Sequence, residues 1–471
     1  MPVMQLDEMH LFDHSRPRCL SRFTARLMRT PPLVPDSLAP LFALFDVLVD
    51  PQVGIIHHVQ EIPRYPGAPD FFQFVAQACD TKAFCDHANF AKAGGASTTR
   101  ERAMAKAMGE AIERYCAAIY EKEAFPLASS AQAPFPCIPP HEFALYHPAQ
   151  WTDPSFPYRP FDEQTPVRWC PVVDPLTGET WHVPACMVYL PYLFDSCEPP
   201  FTQRISTGLA CHTSHQAAAI TAICEVIERD AFTITWQARW PRPRIRLTSL
   251  THEEQDLVNR FHRIGATVTL FDLTLDAHIP TVLAVSRATS QDLPALAFAA
   301  STDMSPAQAI RKSLEELAHT FRLAFQLHAS RPPFLPTPHY TNVLGKDDHV
   351  HLYCNHGSAE LAEWIFESHT EIDVSDMPDE STGHPEADLS RLLRRIAATG
   401  HRALLADVTT PDVQSFGLSA VRALVPGFHP LFLGHHFRAL GGRRLWSIPQ
   451  RYGGKGITLE TGDNPHPHPY P

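Results

Sequence analysis

Apolar positions along this chain recur with two different periods. In AMAKAMGEAIERYCAAI (Ala103–Ile119) they return every three to four residues. Met108, Ala111, Ile112, Tyr115, Ala118 and Ile119 form one stripe, which predicts an amphipathic helix. Glu110, Glu113 and Arg114 share the opposite face, because residues three and four apart are helical neighbours. ITAICEVIERDAFTI (Ile220–Ile234) repeats the arrangement, with Ile220, Ile223, Ile227, Ala231 and Ile234 apolar and Glu225, Glu228 and Arg229 facing away. A third helix is predicted over Ser305–Phe325, where Leu314, Leu317 and Phe321 face a core and Ser305 serves as N-cap before Pro306. A shorter helical pattern covers Leu38–Phe45. The period of two appears in the strand-like run Gly54–Val59 and in VRWCPVV and WHVPACMVYL, which flank the turn residues Asp174–Gly178 as a hairpin.

Small-residue segments precede both glutamate helices. Lys92–Thr99 (KAGGASTT) reads as a glycine turn whose N–H groups are placed to cradle phosphate at a helix N-terminus, and Ser206–Ala210 is a similar turn. FHRIGATVTLFDLT (Phe261–Thr274) and RIAATGHRALLADVT (Arg395–Thr409) echo each other as helix, glycine, strand and Asp-x-Thr. A structural repeat explains Asp272 and Asp407 as turn residues. Phe125–Pro166 is rich in proline and reads as a long ordered surface connection, and Glu371–His384 as a solvent loop. Residues 1–33 read as an irregular segment. The end, Asn464–Pro471, alternates proline with His or Tyr, a pattern that favours stiff extended chain.

Composition narrows the function classes. A net charge of −12 argues against a nucleic-acid or anionic-membrane surface. No basic segment backs an apolar run at the N-terminus, and no window is apolar enough to span a bilayer. Eleven scattered cysteines without a C-x-x-C pair suit reduced thiols in the cytoplasm better than disulfides or a zinc knuckle. Cys116 and Cys224, inside the glutamate helices, read as buried filler.

A charged helical face alone fits an ordinary surface helix. Its duplication is what matters: two Glu-x-x-Glu-Arg helices are able to set four carboxylates across one cavity, a costly arrangement unless cations neutralise it. Oxygen ligands of this kind suit Mg²⁺ held jointly with phosphates, so the local reading is a Mg²⁺–nucleotide site without a Walker loop.

Taken together, the two E-x-x-E-R helices, the third helix containing LEELAHT, VRALVPG (Val421–Gly427), GGRRLWSIP (Gly441–Pro449) and the alternating terminus resemble the YcaO family of ATP-dependent peptide cyclodehydratases. The likeness spans residues 34–471. It implies an α+β fold of mixed helices and strands, with ATP where the glutamate helices meet and an extended Pro-rich tail. By resemblance Glu110, Glu113, Glu225 and Glu228 hold Mg²⁺, while Arg114, Arg229, Glu316 and Arg422 bind the nucleotide. The tail matches the family's P-x-P-x-P at Pro467, Pro469 and Pro471, whose terminal carboxylate assists proton transfer in azoline-forming members. The implied activity converts Cys, Ser or Thr of a ribosomally made precursor peptide to thiazoline or oxazoline. The alternatives are a thioamide- or amidine-forming enzyme and a non-catalytic ATP-binding scaffold. Expected partners are the precursor peptide and a separate leader-peptide-binding protein, since residues 1–33 are too short for such a domain; a homodimer is also compatible. Four positions depart from the family pattern. The G-K-G-x-T turn reads Gly95-Ala96-Ser97-Thr98-Thr99, Lys106 stands at a serine, Thr207 at an asparagine and His319 at a glutamine. None of the four is carried over as a ligand.

Overall fold

The structure, a computed structural model, describes residues 38–458 and 460–471. The N-terminal segment 1–33 lies outside the described residues. The described part contains three sheets and seven α-helices of nine or more residues, joined by shorter helices and loops.

The first sheet joins β1 (Ile56–Glu61), β2 (Phe72–Ala78) and β3 (Lys92–Ser97) as antiparallel neighbours in that order. Helix α1 (Arg100–Ala117) follows at once and packs across β2 and β3. Thr99 caps it, its hydroxyl accepting from the Arg102 N–H at 3.3 Å. The predicted stripe is the packed face: Met108, Ala111, Ile112, Tyr115 and Ala118 are buried, and only Ile119 is partly open.

The expected glycine turn at Lys92–Thr99 is corrected: most of it is strand β3, and only Thr98 and Thr99 turn. Composition misleads here because these glycines serve close packing rather than chain reversal. A Cβ on Gly95 would sit 2.3 Å from the Ala103 carbonyl oxygen of α1, so no other residue lets strand and helix approach this closely.

The second sheet in chain order has six strands. β4 (Leu127–Ala128), β5 (Val167–Val173), β13 (Leu404–Asp407), β14 (Ser419–Leu424) and β7 (Leu209–His212) line up in that order, and β6 (Thr180–Pro184) pairs with β5. β5 and β6 form the predicted hairpin, with Val173 opposite Thr180 and the Asp174 carboxylate accepting from the Leu176 N–H. The proline-rich connection that precedes it is ordered, and buries Ile138, Phe143 and Tyr146.

The third sheet runs β11 (Leu296–Thr302), β10 (Thr281–Ala288), β9 (Ala266–Asp272), β8 (Arg244–Ile245) and β12 (Glu371–Ile372). β12 lies in the segment expected to be loop; it is two residues long and pairs parallel to β8, too little for a sequence pattern to register. Helix α3 (His252–His262) leads through Gly265 into β9, as α6 (Pro385–Ala398) leads through Gly400 into β13. Both glycines are left-handed, with φ of +88° and +84°, as a helix C-terminus favours. Asp272 and Asp407 each accept the N–H of the threonine two residues on, at 2.9 and 3.0 Å, which makes them turn residues.

Helix α2 (His215–Gln237) lies at the centre, against β7, β14, β10, β11, α6 and α7 (Arg443–Arg451). Helix α4 (Pro306–Ser330) packs on β10 and β11 and reaches β3, while α5 (Lys346–Cys354) lies against it. Leu314, Leu317 and Phe321 are fully buried. Ser305 occupies the N-cap position, but its side chain makes no capping bond, in contrast to the expectation; Pro306 at the first helical position sets the start. Among the described residues no helix is long and apolar enough to cross a membrane.

Candidate active site

The two glutamate helices come from different layers, and the fold treats their first glutamates alike. Glu110 accepts the Gly94 N–H of β3 at 2.8 Å and pairs with Arg114 one turn on, at 2.5 Å. Glu225 accepts the Gly208 N–H at 3.2 Å and lies 3.5 Å from Arg229, again one turn on. The glycine segments before the helices thus spend an N–H on orienting a carboxylate, rather than offering it to phosphate as expected for Lys92–Thr99.

The second glutamates, and Glu225 with them, are less well neutralised. Burial, then repulsion from Glu110 and Glu225, raises Glu113 well above the ordinary carboxyl range despite Arg114 and Arg422. Burial also raises Glu225 against the pull of Arg229. Glu228 is pushed up to about 7 by burial, although Arg229 and Tyr470 favour its charge. Its Oε2 accepts the Thr302 N–H of β11 at 3.2 Å, and its Oε1 accepts the Tyr470 phenol at 2.7 Å.

The cations here have unused donors. Arg422 on β14 donates from one terminal nitrogen to the Ile205 carbonyl at 2.9 Å, while its Nε and Nη1 are buried without a hydrogen-bond partner. Burial lowers Arg422 to about 10, with Glu225 and Glu113 pulling the other way. The Nε and Nη1 of Arg229 likewise lack a hydrogen-bond partner. Carboxylates pushed toward protonation and arginines with idle N–H groups fit a divalent ion bound together with phosphates, which would offer a cation to the first and oxyanions to the second. Among the described residues no three His, Cys, Asp or Glu side chains gather into a metal cage. Mg²⁺ needs none, since one or two carboxylates, the phosphates and water complete its shell.

Glu316 on α4 faces this site from a third side. Burial opposes its charge, but His319, Lys106 and Arg229 outweigh it and hold the carboxyl down to about 2. Two of the departures are absorbed here: the Lys106 ammonium lies 2.8 Å from Glu315 and 3.6 Å from Glu316, and His319 lies 3.8 Å from Glu316. Ala96 is buried in β3. Thr207 lines a small cavity of about 90 Å³ beside Arg422. Cys116 and Cys224 are buried, and burial raises both thiols, to about 11 for Cys116, so neither is poised as a nucleophile.

The tail reaches the site. His468 and Tyr470 are buried, and Pro471 follows directly on the residue that touches Glu228. Sequence reasoning missed Tyr470, Glu315 and the cluster in which Arg444 donates to Asp230 and Asp276 at 2.6–3.1 Å. It also missed the glycine N–H groups as orienters. A glycine segment 16 or 17 residues before the first glutamate of each pair was the available signal.

Fold and site together define a protein built around two look-alike acidic helices that meet beside an arginine-bearing strand. Residues 94–429 match the family described as "YcaO cyclodehydratase, ATP- and Mg²⁺-binding", and the chain belongs to that family. A Methanothermobacter thermautotrophicus protein described only as uncharacterized is 29% identical over 346 residues, 71% of this chain and 80% of that protein. Among solved structures, a heterocyclase in complex with substrate and cofactor aligns with a TM-score of 0.76 at 20% identity, covering 92% of this chain. The chain spans only 57% of that heterocyclase. The Methanopyrus kandleri YcaO bound with AMPPCP and Mg²⁺ aligns with a TM-score of 0.59 at 20% identity, over 83% of this chain and 90% of that one. The Escherichia coli microcin synthetase McbBCD complex with pro-MccB17 bound gives 0.55 at 15% identity, over 89% of this chain and 99% of the matched one. At these identities the structural likeness establishes the fold.

Proposed function

We propose that this chain carries out ATP-dependent cyclodehydration of Cys, Ser or Thr in a peptide substrate, giving a thiazoline or oxazoline. The observation that carries the reading is the coincidence at one place of under-neutralised carboxylates, Glu113, Glu225 and Glu228, with the unpartnered N–H groups of Arg422 and Arg229. Membership of a family described as ATP- and Mg²⁺-binding supports the same assignment.

In this reading Mg²⁺ is held by carboxylates drawn from Glu110, Glu113, Glu225 and Glu228, one or two to an ion, and when bound neutralises charge on the β- and γ-phosphates. Arg422 turns its idle donors onto phosphate oxygens, with Arg114, Arg229 and Glu316 fixing the orientation around them. The peptide's side-chain sulfur or oxygen attacks the carbonyl carbon of the preceding residue, and the resulting oxygen takes the γ-phosphoryl group of ATP. The C–O bond then breaks as the nitrogen loses its proton to solvent and forms C=N, releasing phosphate, with ADP as the other product. The nucleophile must give up its proton, and we assign that step to the carboxylate of Pro471, the neighbour in sequence of the tyrosine whose phenol donates to Glu228.

We further propose that a separate protein presents the precursor peptide. The support is that the microcin synthetase McbBCD, which this chain resembles in fold, is a complex with pro-MccB17 bound. The test is to incubate the chain with ATP, Mg²⁺, a precursor peptide and its presenting protein. A peptide lighter by one water per ring, with one ADP and one phosphate formed, is the expected result. Exchange of oxygen for sulfur would indicate a thioamide-forming enzyme instead, and nucleotide binding without turnover a scaffold; either outcome overturns the proposal.

A further inference from the structure

Four prolines alternate through the tail at Pro465, Pro467, Pro469 and Pro471, so half of its backbone has fixed φ and no N–H to donate. The carbonyls that remain are taken up one after another by side chains of the body. The Trp236 indole N–H donates to the His466 carbonyl at 3.1 Å, the Tyr353 phenol to Pro467 at 2.5 Å and the His349 Nδ1–H to His468 at 2.7 Å. The His468 ring stacks on His349 with centroids 3.9 Å apart, and its Nε2–H donates to the Phe432 carbonyl at 2.8 Å. Three successive carbonyls and one stacked ring fix the register, because a slip by one residue would place proline where histidine must donate.

The residue this register delivers is Tyr470. Its ring packs against Phe232 with centroids 4.6 Å apart and lies under the Arg229 guanidinium at 4.4 Å. Its hydroxyl has a single proton and two carboxyl or carbonyl acceptors in reach, Glu228 Oε1 at 2.7 Å and the Ala300 carbonyl at 3.3 Å. The shorter, charged acceptor takes it. Burial keeps the phenol protonated, so it acts as a donor. With Thr302 N–H on the other oxygen, each carboxylate oxygen of Glu228 carries one donor, and its remaining lone pairs point in a fixed direction.

We propose that Tyr470 is a positioning residue of the metal site: it aims the free lone pairs of Glu228 with its hydroxyl and holds Arg229 with its ring, coupling the docking of the tail to cation binding. The proposal rests on the reading of Glu228 as a Mg²⁺ ligand. Outer partners of metal ligands set ligand orientation, and their loss costs about 10–100-fold in metal affinity.

Tyr470→Phe keeps the ring and removes only the hydroxyl; Tyr470→Leu removes both contacts. Calorimetric titration of the full chain with AMPPCP, with and without Mg²⁺, separates the two roles without needing turnover. Tyr470→Phe is expected to require about 10-fold more Mg²⁺ for AMPPCP binding, with metal-free AMPPCP affinity and the thermal midpoint unchanged. Tyr470→Leu should lose metal-free AMPPCP affinity as well, through Arg229. Wild-type Mg²⁺ dependence in Tyr470→Phe overturns the proposal if Glu228→Gln abolishes that dependence. Equal loss of thermal stability and of both affinities in Tyr470→Phe also overturns it, because the residue would then be structural only. If Glu228→Gln itself binds as wild type, the underlying assignment of Glu228 is what fails.

Discussion

Glu228→Gln is expected to lower ATP consumption by at least about 100-fold with peptide substrate present, while leaving the fold intact. The amide keeps the shape of the carboxylate: its oxygen accepts the Thr302 N–H, and its NH2 donates to the Tyr470 hydroxyl oxygen once the phenol turns its proton to the Ala300 carbonyl, so the packing around α2 persists. What disappears is a charge that burial has already pushed up to about 7, the situation in which a bound cation gains most from the ionised form. Loss of an outer partner alone costs about 10–100-fold in metal affinity, so a ligand itself costs more. Glu110→Gln should behave similarly, because its carboxylate is held between the Gly94 N–H and Arg114 and has no replacement. Steady-state ATP turnover with Mg²⁺ varied checks this, and full turnover in either variant would contradict the metal assignment.

Arg444→Met is expected to cost about 3–5 kcal/mol of stability, the usual consequence of removing one partner from a buried ionic cluster. Arg444 is 4% exposed and satisfies two carboxylates at once: Asp230 on α2, which is 1% exposed, and Asp276 beyond β9. Its guanidinium also lies 4.1 Å from the Phe428 ring centre, and Asp230 takes the His429 N–H at 2.7 Å. The methionine leaves Asp230 buried without a cation and Asp276 with only the exposed Arg451, 4.0 Å away. Since Asp230 directly follows Arg229, any relaxation moves the glutamate face of α2. Urea unfolding measures the loss. Neutralising the whole cluster, with Asp230→Asn and Asp276→Asn added, should recover part of it, because an uncharged replacement leaves no stranded charge.

The helices of the site were legible because local periodicity decides which face is buried. Met108, Ala111 and Ile112 on α1 and Leu314, Leu317 and Phe321 on α4 occupy the core as their spacing requires. The hairpin at Asp174–Gly178 was legible for the same reason, since its turn chemistry is contained in a few residues. What stayed hidden depends on partners far away in sequence. Gly94 and Gly95 look like a turn until β2 and α1 are known to close on them. Arg444 meets Asp230 across 214 residues and Tyr470 meets Glu228 across 242, distances over which no spacing rule operates. Strands of two residues, such as β8 and β12, exist only because neighbours supply their hydrogen bonds.

The measurement closest to the central claim is a crystal structure of the chain with AMPPCP and Mn²⁺ in place of Mg²⁺, with anomalous scattering locating the ion. The account predicts manganese coordinated by carboxylates from both α1 and α2, with phosphate oxygens within hydrogen-bond reach of Arg422. Manganese bound away from Glu110, Glu113, Glu225 and Glu228, or a nucleotide seated without contact to either helix, would contradict it.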